Sequence, residues 1–217
     1  MPMAPLVHDR KYGELDQVIR AYLGQDADDT EDHRSAALTA FLRHTWRTRP
    51  WTLGTAEEQL REYARHPPGR LRLELGEFYP VPDVGLPDHR VQDWLRQLAA
   101  HIRASVEEGD VPPPQPMPQT RWEWHARFPE LGQLLGGWFS QDMPDEFDDH
   151  DTALADYLAT TDTTLVAHLH GELRELLALD LEESDYALAL AELGAEVDPP
   201  RPYAPGAWLA LLADRTA

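Results

Sequence analysis

The chain states one pattern twice. Residues 12–26 lie over residues 128–142 at a constant offset of 116, so that Tyr12-Gly13-Glu14-Leu15 meets Phe128-Pro129-Glu130-Leu131 and Leu23-Gly24-Gln25-Asp26 meets Phe139-Ser140-Gln141-Asp142. The register continues, with Ala37-Leu38 over Ala153-Leu154 and Phe41-Leu42 over Tyr157-Leu158. Later landmarks keep their order at slightly different offsets, 118 for Leu75-Gly76 over Leu193-Gly194 and 114 for Trp94-Leu95 over Trp208-Leu209. A shared period of this length implies two copies of one unit, each obliged to bury the same apolar positions. Each copy, at about 100 residues, is large enough to bury a core without staples.

The apolar positions recur at helical spacing. Leu131, Leu134, Leu135, Trp138 and Phe139 form one stripe, and Leu15, Val18, Ile19, Tyr22 and Leu23 repeat it. Second helices are expected near residues 30–45 and 149–160, with Thr30 or Asp32 and Asp148 or Asp149 as N-caps. A third spans Thr163 to Ala178, with a weaker counterpart over Thr55 to Ala64. A fourth covers Ser184 to Leu193 and stops at Gly194, which supplies a left-handed C-cap. Its equivalent, Leu71 to Leu75, alternates like a strand and is left open. The last helices follow Pro87 and Pro205, burying Trp94, Leu95, Leu98 and Ile102 in one copy and Trp208, Leu209 and Leu212 in the other. The expected fold is all-α: two tandem helical-bundle repeats over residues 10–108 and 121–217, of about five helices each. Five prolines in residues 109–120 suggest a Pro-rich linker that acts as a stiff extended spacer.

Cysteine is absent, which excludes disulfides and thiolate metal sites. Neither an export signal nor an apolar run of the roughly 20 residues that span a bilayer is evident, so a cytoplasmic location is expected. The formal charge is −20, and residues 111–217 carry most of it, with 5 basic against 20 acidic groups. Such a field repels nucleic acid and anionic lipid and speeds association with a basic protein.

The densest part of that charge is Gln141-Asp142-Met143-Pro144-Asp145-Glu146-Phe147-Asp148-Asp149-His150-Asp151. A calcium loop would need ligands at alternate positions around a glycine, and Pro144 and Phe147 break that pattern. A divalent-metal hydrolase would need ligands converging from several elements. One or two of these carboxylates suffice to cap the following helix and meet its positive end. The surplus, beside Trp138, Met143 and Phe147 as apolar anchors, suits docking to a basic protein surface. The partner-binding candidates are therefore Trp138, Gln141, Asp142, Met143, Asp145, Glu146, Phe147, Asp148, Asp149 and Asp151. His168 and His170, two apart on a helix, cannot share a metal, and no nucleophile elbow, phosphate loop or zinc-protease motif is present. No catalytic residue, metal ligand or cofactor is expected.

The run from Phe128 to Met143, the Leu193-Gly194-Ala195-Glu196-Val197-Asp198-Pro199-Pro200 element and the closing Ala207-Trp208-Leu209 resemble the CdiI-like immunity proteins of contact-dependent growth inhibition and related polymorphic toxin systems. The resemblance covers about residues 126–215 well and residues 10–104 faintly. The histidine that this family places before Gln-Asp is Ser140 here and Gly24 in the first copy, so of that element only Gln141 and Asp142 carry over. The resemblance implies a helical immunity protein that binds and blocks a cognate toxin domain, while the charge argues against a nucleic-acid or membrane partner and the absent motifs against an enzyme. The charge distribution adds that the toxin is a basic nuclease met by an acidic surface. A helical adaptor or regulatory scaffold, or a divalent-metal hydrolase, are the alternative readings.

Overall fold

A computed structural model describes residues 5–66 and 86–217, and every regular element among them is a helix. They divide into two compact units, one ending at Glu123 and the other beginning at Trp124. The alternating Leu71 to Leu75 segment lies outside the described residues.

In the first unit, α1 (Pro5–Arg20) is interrupted at Tyr12, whose φ of −130° is not helical. Then come α2 (Ala36–Thr48), a 3₁₀ turn over Pro50–Thr52, α3 (Leu53–Tyr63) and α4 (Asp88–Glu108). Helix α3 packs against both α1 and α4. The expected stripe is the core, since Leu15, Val18, Ile19, Leu38, Phe41, Leu95 and Leu98 are all fully buried. Helix α2 starts later than its periodicity predicts. Its N-cap is Ser35, whose side chain accepts from Leu38 N, and not Thr30 or Asp32; Thr30 instead pairs through its backbone with His33.

The proline segment is bound to this first unit. Arg43, almost fully buried on α2, donates from Nη1 to both carboxylate oxygens of Glu123, at 3.1 and 3.0 Å, and from Nε to Pro113 O at 3.1 Å. Gln119 N donates to the same Glu123 carboxylate, Trp122 lies against Phe41 and His44, and Asp110 pairs with Arg34. Breaking a buried pair of this kind by removing one partner costs about 3–5 kcal/mol, because the other charge stays behind unpaired.

Helix α5 (Arg121–Arg127) contains the boundary between the units. The second unit continues with α6 (Pro129–Trp138), the single turn α7 (Met143–Glu146), α8 (His150–Thr160), α9 (Thr163–Leu177), α10 (Glu183–Glu192) and α11 (Pro205–Arg215). Helix α9 packs on α6 and α11, while α8 packs on α6 and α10 on α11. Leu131, Leu134, Leu135, Phe139, Leu169, Leu173 and Leu209 are fully buried, as helical spacing requires. Close approach sets the tightest contact. A Cβ on Gly132 would stand 2.7 Å from His125 Nδ1, so glycine here makes room for the His125 ring against α6.

Candidate functional site

The acidic segment joins the end of α6 to the start of α8, and a motif about fifty residues away holds it in place. Glu196 N donates to Phe139 O at 3.0 Å, while the Glu196 carboxylate accepts from Gln141 N at 2.9 Å. Gly194 makes the approach possible. Its φ of 101° is the left-handed conformation expected at the end of α10, and its position for a Cβ lies 3.2 Å from Gly136 Cα. Two stretches that look independent in the sequence, Phe139 to Asp142 and Leu193 to Glu196, are therefore one structural joint.

From this joint the side chains part. Met143 is buried, at 5 % exposure, and Phe147 is half-buried, so both are anchored inward. Gln141, Asp142, Asp145, Glu146 and Asp148 are exposed. None of those four carboxylates forms an ion pair among the described residues. Asp149 is the N-cap of α8, accepting from Thr152 N at 2.8 Å and Thr152 Oγ1 at 2.9 Å. Those two donors, the backbone one foremost, hold its carboxyl below the usual carboxylate range. Asp151 pairs with Arg215 of α11. Trp138 stands apart, half-buried, edge-on to Tyr157 at 4.9 Å and donating to Asp156 at 2.9 Å.

Asp149 and Asp151 form part of the rim of an open groove of about 370 Å³ between the start of α8, the 200–203 loop and α11. Its floor is apolar, made by Leu154, Trp208 and Leu212, each nearly or fully buried, with Leu211 beside them. The rest of its rim includes Arg201, Arg215 and Tyr203, the last 43 % exposed. His150 ties the two sides together: its ring stacks on Phe139 at 5.6 Å and Nε2 donates to Asp198 O at 2.9 Å. Sequence reasoning passes over Arg201, Tyr203 and Arg215, and meets Glu196 only as part of the Leu193 to Pro200 element, because they join the acidic segment only through the fold. The one signal pointing to them is the density of prolines at 199, 200, 202 and 205, which fixes the loop carrying Arg201 and Tyr203.

The paired histidines of α9 are also placed. His170 Nδ1 donates to Ala213 O at 3.0 Å, a structural pin, and His168 is exposed. Among the described residues no group of three or more His, Asp or Glu side chains could hold a metal ion, and no helix is long and apolar enough to cross a membrane.

Residues 127–216 match the family model described as CdiI immunity protein. The matched span is the second unit almost from end to end, and it contains the acidic segment, the Gly194 joint and the groove. This match agrees with the resemblance read from Phe128 to Met143 and Leu193 to Pro200, so the second unit is similar to CdiI immunity proteins. No curated protein and no solved structure matches the chain.

Proposed function

We propose that this protein neutralises a basic nuclease toxin by covering its nucleic-acid groove with the acidic face of the second unit. The reading rests on one observation beyond the family match: Asp142, Asp145, Glu146 and Asp148 point to solvent without an ion pair among the described residues, in a segment whose backbone is fixed at both ends. Side chains that stabilise nothing locally, held on a rigid frame, suit a contact surface. A nuclease that binds nucleic acid must present the opposite charge. Within this reading Gln141, Asp142, Asp145, Glu146, Asp148, Asp149 and Asp151 steer and contact the toxin. Trp138, Met143 and Phe147 support the frame. The first unit is a divergent copy of the second, the protein acts in the cytoplasm of the toxin-producing cell, and binding alone inhibits, with no cofactor.

The test is reversal of three of the exposed charges, Asp145, Glu146 and Asp148, to lysine, leaving the Asp149 cap intact. Association with the toxin domain encoded beside this gene, followed by stopped flow, should slow by about tenfold or more and lose most of its salt dependence. Unchanged association kinetics would remove this surface from the mechanism.

A further inference from the structure

Resting on that reading of the second unit, we infer that the groove between α8, the 200–203 loop and α11 seats a single arginine side chain of the toxin. The argument is a match of shape and charge. An arginine has a long apolar stem and a flat cationic head, and it is among the commonest side chains to dominate an interface. The apolar floor, with Leu211 beside it, takes the stem, and the Asp149 carboxylate on the rim takes the head, next to Asp151, which already pairs with Arg215. Tyr203, exposed beside them, offers an aromatic face for the guanidinium. The rim already shows its preference, because Asp151 holds a guanidinium, that of Arg215 from the same chain.

Other occupants meet a physical objection. An aliphatic side chain would strip water from the Asp149 carboxylate and return nothing to it. An acidic one would face that carboxylate inside a unit that carries 4 basic against 19 acidic residues between Trp124 and Ala217. Of the two arginines on the rim, Arg215 is paired with Asp151, whereas Arg201, exposed and without an ion pair among the described residues, favours an anion, and that makes it the discriminating position.

The experiment titrates the full chain with acetyl-Gly-Arg-Gly-amide and follows the Trp208 indole and His150 ring resonances by NMR, with the leucine and glutamate peptides as controls. The arginine peptide should shift both resonances and bind about fivefold or more tighter than either control. Asp149→Asn, which keeps a capping oxygen while removing the charge, and Tyr203→Ser should each weaken it about threefold or more. Arg201→Gln should strengthen it, since it removes the rim cation that no carboxylate among the described residues neutralises. Preference for the glutamate peptide, weakening by Arg201→Gln, or no shift with any peptide at tens of millimolar would overturn the inference. Because the peptide assay involves no toxin, its outcome is independent of the charge-reversal test: a toxin that ignores Asp145, Glu146 and Asp148 leaves this result standing, and an empty groove leaves that one standing.

Discussion

The segments between the first two long helices of each unit are both rich in aspartate, and they use it in opposite ways. In residues 24–35 the central carboxylate turns inward. Asp29, 7 % exposed, accepts from the Tyr22 hydroxyl at 2.8 Å and from Ser35 N at 2.9 Å, and Ser35 Oγ donates to Tyr22 Oη at 3.1 Å. Burial first, and the Asp29 charge second, push the Tyr22 phenol far above its ordinary range. In residues 139–149 the position aligned with Tyr22 is Trp138, which has no hydroxyl to organise such a network, and the carboxylates face water. One loop uses a single buried aspartate to fix its own shape, its other acidic groups lying exposed. The other is shaped from outside, by Glu196 and the Asp149 cap, and its remaining charges face water without an ion pair among the described residues.

This contrast can be broken most directly at its centre. Asp29→Ala leaves the Tyr22 hydroxyl and Ser35 N buried without an acceptor and should cost about 2–4 kcal/mol in denaturant unfolding, whereas Asp145→Ala should stay within about 0.5 kcal/mol. Equal effects would mean that the loops do not differ as described. A smaller effect separates the two caps. Ser35→Ala removes a buried cap and should cost about 1–2 kcal/mol, while Asp149→Ala, at an exposed cap, should lower the melting temperature of the second unit by only a few degrees.

The smallest effect depends on pH. Glu172 of α9 accepts from the N-terminal amides of α6, Leu131 N at 2.8 Å and Glu130 N at 3.2 Å. Desolvation nevertheless outweighs those donors and pushes its carboxyl up to about 6, from an ordinary value of 4.5. A carboxyl raised by folding favours the native state while it is protonated, and that contribution is lost as pH rises through about 6. The melting temperature of the wild type should therefore fall relative to that of Glu172→Gln between pH 4.5 and 7, with the first unit as an internal control. A constant difference across that window would assign Glu172 a solvated carboxyl.

Much of this arrangement is legible from spacing alone. The buried faces of α1, α6, α9 and α11 follow apolar positions three and four apart, and the end of α10 follows from Gly194, because both are local rules. The start of α2 is not legible in that way: Thr30 and Asp32 have capping side chains, but the inward turn of Asp29 delays the helix to Ser35. Composition likewise makes the proline segment a spacer, whereas Arg43, some seventy residues earlier than its partner Pro113, binds it down. The acidic candidates are visible as a run, but the groove beside Asp149 and Asp151 is assembled from α8, α11 and a loop about fifty residues distant. No window of sequence contains it.

The clasp formed by Glu196 also bears on how such a protein diversifies. Its bonds engage backbone atoms of Phe139 and Gln141, so they place no demand on the identity of the side chains that follow. The exposed residues 144, 145, 146 and 148 can be exchanged for others without disturbing the scaffold that displays them. A lineage pressed to keep pace with a changing adversary could rewrite that short stretch repeatedly and never have to reinvent its fold.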